Sequence, residues 1–219
     1  MNSPASFTEN PRARHSNGAF PFIGERLWLD FVNTDACASA TVSDALHDFE
    51  SFLLWMEAAG VVDAERSGGM RRRAQQQPTG AAAALVDARR IRDALRLLAE
   101  KGANLLQVRV DAVAEINRVL GRSAGTRRIE WRLDGGYERN FVPVGDAFAG
   151  LMIPVVESAA EALICDELAR IRRCAGEGCK RVFHDGSRNR SRRWCDMSSC
   201  GNRAKATRFR KRVRAGAHV

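Results

Sequence analysis

Leu85, Ala88, Ile91, Arg92, Leu95 and Leu98 recur on or beside one face of an Ala/Leu/Arg-rich stretch, which predicts a helix over 81–100. A second helix is expected from Leu105 to Leu120. Earlier in the chain, Leu46, Phe49, Phe52, Leu53 and Met56 follow Ser43 at helical spacing, with Ser43 read as the N-cap and Gly60 beyond the end. Residues 63–80 are polar and glycine-containing, and fit either a mobile helix or a loop. Residues 20–35, FPFIGERLWLDFVNTD, open the ordered chain with a mixed apolar run, expected as a strand-to-helix junction. The texture changes at RRIEWRLDGGYERNFVPV, where rough alternation surrounds Asp134-Gly135-Gly136 and predicts a hairpin. Ile129, Trp131 and Leu133 would share one face of its first strand. A long apolar helix is expected from about Asp146 to Arg172, kinked by Pro154 or starting at it. No internal repeat is visible. The expected fold class is mainly α with a small β-hairpin element (α+β), plus a separate C-terminal module ending in a helix.

Composition adds limits to this picture. Aromatic residues make up 7% of the 219, so any sheet is expected to be small. No apolar run approaches the roughly 20 residues of a membrane span. The first residues, MNSPASFTENPRARHSNG, lack the apolar stretch of a signal peptide and are expected to be a disordered leader. A soluble, cytoplasmic protein in a reducing compartment follows as the expectation, with six cysteines that are not disulfides.

Charge is unevenly distributed. Residues 170–219 hold sixteen Lys/Arg against three Asp/Glu, leaving nineteen against twenty-three in residues 1–169. The whole excess of +9 therefore comes from the last fifty residues. Such asymmetry points to a polyanion-binding module on an ordinary domain. The expected boundaries are a leader at 1–19, a mainly helical domain at 20–170, a finger with basic helix at 171–214 and a tail at 215–219.

The same fifty residues hold Cys174, Cys179, Cys195 and Cys200, spaced C-x4-C-x15-C-x4-C. Two matched pairs suit a tetrahedral four-thiolate zinc site, because each pair closes one knuckle on the metal. The segment between can leave through Arg181-Val182-Phe183-His184, turn at Asp185-Gly186-Ser187, and return through Arg192-Arg193-Trp194. The alternative is four unrelated buried thiols. His184 could replace a ligand, but four cysteines already fill the shell. A full shell leaves no open position for water or substrate, so one structural Zn2+ is expected rather than a catalytic one. Cys37 and Cys165 lack such spacing.

After the last thiol, Gly201 permits a tight exit and Asn202 is a suitable N-cap. No helix breaker follows from Arg203 to Arg214. Ala206, Phe209 and Val213 make a narrow apolar stripe expected to pack on the knuckles. Arg203, Lys205, Arg208, Arg210, Lys211 and Arg212 are candidate nucleic-acid contacts. Arg188, Arg190, Arg192 and Arg193, between the cysteine pairs, would join them in one cationic surface. A solvated charge run or flexible tail is the plainer alternative.

Cys200-Gly201-Asn202-Arg203, with Arg192-Arg193-Trp194-Cys195 and Cys174-x4-Cys179 before it, resembles the bacterial CGNR zinc finger family. Leu29-Asp30-Phe31-Val32-Asn33-Thr34 is similar to the opening of the ABATE domain, a stress-induced transcription regulator module that precedes this finger. Together the resemblance spans roughly residues 20–212. It implies a zinc-binding, DNA-binding C-terminal module in a regulatory protein.

The expected function is thus a zinc-dependent DNA-binding transcriptional regulator, nucleoid-associated when bound to duplex DNA. The N-terminal domain would sense a small-molecule effector or form a homodimer, although no heptad pattern marks a zipper. Trp28, Phe31, Trp55 and Trp131 could line a ligand pocket, with plain core as the commoner role. The alternative is an RNA-binding or ribosome-associated zinc protein. No enzyme is expected: HExxH, a phosphate-binding glycine loop and G-x-S-x-G are all missing. Asp30 and Asp35 near Asn33 suggest a polar pocket only until capping roles are considered.

Overall fold

Two hydrophobic clusters of unequal size organise the chain, in a computed structural model that describes residues 20–35, 44–122, 125–131, 137–143 and 148–216. The larger cluster belongs to a helical body and the smaller to the cysteine region.

At the centre of the body lies α1 (Leu27–Val32), with Trp28, Leu29, Phe31 and Val32 fully buried. Phe31 and Trp55 meet edge to face with ring centroids 5.0 Å apart. These aromatics are core, as the commoner expectation had it; nothing is described of the Trp131 side chain. Among the described residues no strand precedes α1, so the expected strand-to-helix junction is not what this segment forms. A turn, Asn33–Asp35, continues the helix instead.

The next helix, α2 (Phe49–Ala58), starts at Asp48. Its carboxylate accepts from the Ser51 N–H at 2.7 Å, while the Asp48 N–H donates to the Ser51 hydroxyl at 3.1 Å. This reciprocal cap satisfies two otherwise orphaned donors, so the helix begins later than spacing from Ser43 suggested. Ser43 itself lies outside the described residues, as do Cys37, the Asp134-Gly135-Gly136 turn, Leu133, Asp146 and the expected leader.

Residues 64–76, open between helix and loop on sequence grounds, form α3 (Ala64–Gln76). Asp63 caps it by accepting from the Arg66 N–H at 2.7 Å, and Ser67 and Met70 face inward. The predicted central helix is α4 (Pro78–Lys101), with Leu85, Ala88, Ile91, Arg92, Leu95 and Leu98 all buried. Pro78 sits in its first turn, where its missing N–H costs nothing. Arg92 is tolerated inside because its guanidinium pairs with Asp44 and donates to the Thr34 hydroxyl at 2.9 Å. α5 (Leu106–Arg122) packs on α4 through Ala112, Ile116 and Val119, and leaves Leu106, Val110 and Val113 exposed.

β1 (Gly125–Trp131) and β2 (Tyr137–Pro143) pair antiparallel, Gly125 opposite Pro143 and Trp131 opposite Tyr137. Phe141 enters the core, whereas Ile129 is exposed rather than buried on a shared apolar face. The long helix expected up to Arg172 is shorter. α6 (Ile153–Ile164) starts with Pro154 in its first turn. It is ended by Asp166, whose backbone is left-handed at φ 52°. After a short turn at Glu167–Arg170, residues 171–173 are already a strand. No helix among the described residues is long and apolar enough to cross a membrane.

Candidate metal centre and basic surface

β3 (Ile171–Arg173) and β4 (Val182–His184) pair antiparallel and carry Cys174 and Cys179 on the loop between them. The Cys174 N–H donates to Arg181 O at 2.8 Å and the Cys179 N–H to Gly176 O at 3.0 Å, which closes the first knuckle. Gly178 lies at φ +70°, in the left-handed region that favours glycine. A Cβ on Gly176 would stand 3.1 Å from Cys200 Sγ and 3.4 Å from Cys174 Sγ, so a side chain here would crowd the thiols.

The second pair arrives from the far side. The Ala175 N–H donates to Arg193 O at 2.8 Å, joining the returning segment to the first knuckle. Asp196 accepts from the Ser198 and Ser199 N–H groups, both at 3.1 Å, and caps a single π-type turn, Met197–Gly201. That turn runs directly into α7 (Asn202–Gly216). The chain is therefore already helical at Asn202, which cannot act as the expected N-cap. Asn202 instead donates its amide to Ser198 O at 3.2 Å.

The four Sγ atoms all lie within 4.8 Å of one another, with Cys179–Cys195 at 3.9 Å and Cys195–Cys200 at 3.8 Å. Disulfide sulfurs would be about 2 Å apart. A tetrahedron of thiolates about 2.3 Å from zinc has edges of about 3.8 Å. Burial pushes the Cys195 and Cys179 thiols up from their ordinary range. Four sulfurs this close and this buried cannot all ionise without a cation among them, so the donor set fits a divalent metal. Donors surround the sulfurs as well. Cys174 Sγ accepts from the Gly176 and Cys195 N–H groups at 3.4 Å each, and Cys200 Sγ accepts from the Arg203 guanidinium at 3.3 Å. Burial works against ionising Cys200, but Arg203 and the neighbouring thiols outweigh it and hold that thiol below its ordinary value. Such contacts offset the net negative charge of a four-thiolate zinc site. The cluster is placed to hold one zinc ion.

Of the two remaining cysteines, Cys165 is exposed and apart from the cluster. His184 is not among the clustered donors. It is buried on β4 with Nε2 3.9 Å from Glu167.

A comparison with family models matches residues 25–167 to ABATE, described as "Putative stress-induced transcription regulator". The chain belongs to the ABATE family. Residues 170–213 match the CGNR zinc finger. These are the modules that the residues resemble, in the same order, and neither is an enzyme family. No curated protein gives a significant match.

The ABATE motif Leu29–Thr34 turns out to bind the two modules together. The Asn33 amide donates to Val182 O at 2.8 Å and its oxygen accepts from the Val182 N–H at 2.9 Å, both bonds buried. The His184 N–H donates to Gly24 O at 3.0 Å. The edge of β4 away from β3 is thus covered by side chain and loop rather than left open. Arg26 grips Glu167 with two hydrogen bonds at 3.0 and 2.8 Å. Arg96 of α4 pairs with Asp35 and donates to Val32 O and Lys180 O. Asn33 and Asp35 are spent on this junction.

Asp30 is spent on the turn before it: the Gly24 N–H donates to its Oδ1 at 2.7 Å, while Oδ2 has no partner. Burial raises its carboxyl from 3.8 to about 7. Below about pH 4 the carboxyl is neutral folded and unfolded, and nothing is lost. As pH rises from about 4 to 7 only the unfolded chain ionises, so folding loses stability, fully so above 7. Asp30→Asn keeps the acceptor for Gly24 and removes that loss. It is expected to stabilise the helical body by about 2–4 kcal/mol near pH 8 and to change little near pH 4. Urea unfolding followed by tryptophan emission at both pH values checks this; an equal effect at both would contradict it.

The basic residues separate into two groups. Arg192 is committed to the fold: it pairs with Glu25, donates to Trp194 O and Cys195 O, and lies 4.5 Å over the Phe183 ring. Arg203 is exposed but engaged with Cys200. Arg188, Arg190, Arg193, Lys205, Arg208, Arg210, Lys211, Arg212 and Arg214 are exposed. The expected packing of Phe209 and Val213 on the knuckles does not occur; they are 65% and 55% exposed. α7 is anchored at its start by the π turn and carries its charge into solvent.

Asp185, expected only as the first residue of a turn, is the organiser of that turn, a role set by its burial. Fully buried, it accepts from the Ser187 N–H at 3.0 Å, the Ser187 hydroxyl and the Arg192 N–H at 3.0 Å. Burial acts to raise its carboxyl, but these hydrogen bonds prevail and hold it below the usual range. This one side chain organises the loop that presents Arg188 and Arg190.

Proposed function

We propose that this chain is a zinc-dependent DNA-binding transcriptional regulator, with a cytoplasmic, nucleoid-associated place of action. The supporting observation is α7. It leaves the thiol cluster as a continuous helix, holds seven Lys/Arg and no acid between residues 203 and 214, and keeps all seven exposed. An α-helix fits the major groove of duplex DNA, and arginines serve both phosphate contact and bidentate guanine recognition. Zinc fixes the root of the helix, so its direction relative to Arg188, Arg190 and Arg193 is set before DNA arrives. Arg192 and Arg203 support the surface by holding the finger together.

The helical domain takes the regulatory part. We assign it the pairing of two copies through the exposed Leu106, Val110 and Val113 face of α5, since one short helix covers few base pairs. An RNA-binding role is less well supported. Stacking on an open sheet draws on several aromatics, yet Phe183 is fully buried and Trp194 is half-buried with the Arg193 guanidinium 5.3 Å above its ring, which leaves Phe209, on a helix, as the open aromatic among the described residues of the finger.

The test is selection of zinc-loaded protein on a random duplex DNA library. An enriched motif is expected, in two inverted halves if copies pair. With about six phosphates engaged, log K should fall with log salt at a slope near −5. A slope near zero, or tighter binding to single-stranded RNA, would overturn the proposal.

A further inference from the structure

The exposed apolar residues of α7 are aligned. At 100° per residue, Ala206, Phe209 and Val213 fall within about 60° of one another. Ala204 and Thr207, the half-buried residues near the helix start, lie on the opposite side, towards the finger. Lys205 and Arg212 flank the stripe on one side, and Arg210 and Arg214 on the other. The outward face of α7 is therefore an apolar line between two rows of cations.

Single exposed hydrophobic residues are ordinary on protein surfaces. A helix made only to neutralise phosphates would nonetheless gain from a cation at position 209, where a phenylalanine stands 65% exposed. Charge on both flanks selects a partner with two lines of negative charge and a strip between them. Duplex DNA has that section: two phosphate backbones border a major groove about 12 Å wide, close to the diameter of a helix with its side chains. The apolar group on the groove floor is the thymine 5-methyl.

Resting on the DNA-binding proposal, we infer that Phe209, with Val213, reads thymine 5-methyl groups in the major groove while the flanking cations hold the two backbones. Phe209 is then a specificity residue, and the arginines beside it supply affinity that depends little on sequence.

The experiment uses the full-length zinc-loaded chain with two duplexes, alternating poly(dA-dT) and its deoxyuridine counterpart. They differ in the major groove by the 5-methyl alone. At one fixed salt concentration, wild type is expected to bind the thymine duplex about fourfold more tightly, the worth of one buried methyl. Phe209→Ala should lower that ratio towards one and keep the salt slope of wild type; Phe209→Leu should retain more of the preference. Zinc stoichiometry of each variant verifies the finger, since an exposed side chain supports little of it. A wild-type ratio of one with both duplexes bound would overturn the methyl contact and leave DNA binding standing. An undiminished preference in Phe209→Ala would overturn the assignment to this residue. Binding to neither duplex would remove the DNA-binding proposal and this inference with it.

Discussion

Replacing Cys200 with serine is expected to abolish stoichiometric zinc binding and to unfold the finger while the helical body stays folded. A serine hydroxyl does not ionise near neutral pH, so the shell would fall to three thiolates. Structural zinc in small fingers contributes apparent binding free energies of about 10–16 kcal/mol, and this is folding free energy. Little else is available here. The buried cluster around the thiols contains Phe183 besides Cys174, Cys195 and Cys200, with Ile23, Cys179 and Trp194 partly buried against it. Cys200 lies in the π turn that anchors α7, so the helix would lose its fixed direction as well. The body has its own core, from Trp28 to Leu168, and needs no metal. Val182 belongs to that larger core and is held by Asn33, so β3 and β4 are expected to outlast the two knuckles. Zinc content by elemental analysis and hydrogen exchange along residues 174–212 give the answer. A variant that keeps one zinc per chain and a protected finger would show that the ligands are misassigned.

Asn33→Ala is expected to destabilise the junction by about 2–5 kcal/mol, the cost of leaving one N–H and one C=O of Val182 buried without partners. The damage should appear on both sides of the junction. Urea unfolding would shift to lower concentration, and a chelator would strip zinc faster because the finger detaches more often. Asn33→Asp is no remedy: its carboxylate can still accept from the Val182 N–H, but a second oxygen would face Val182 O in a site closed to water. Asn33→Ala unfolding within about 0.5 kcal/mol of wild type would mean that the two modules are held together by other contacts, His184 N–H to Gly24 O and Arg96 to Lys180 O foremost.

These two sites differ in how far they can be read along the chain. The C-x4-C-x15-C-x4-C spacing carries the metal site by itself, because knuckle geometry is local and a tetrahedral ion needs four donors within one short segment. The helices at 78–101 and 106–122 were equally legible, since a core-facing stripe repeats with the helical period. Local signals misled where a neighbour in space overruled them. Ile171 and Arg172 read as the end of a long helix, yet pair with His184 and Phe183. Asn202 reads as a cap, yet Asp196 has already started the turn.

By itself the amino-acid sequence determined the class of the protein: a mainly helical body, a four-thiolate zinc finger and a cationic end, each written in spacing or composition over a few dozen residues. Tertiary structure alone decided what joins and directs them. Asn33 and Val182 stand 149 residues apart, and nothing in the periodicity of either segment announces that one amide will close the other's strand edge. The structure also separated the arginines, committing Arg192 to Glu25 and Phe183 while leaving Arg188, Arg190 and Arg193 in solvent. It turned the Phe209 stripe outward as well. Charge and hydrophobicity are properties of a residue, whereas partnership and direction are properties of the space around it, which only the folded chain defines.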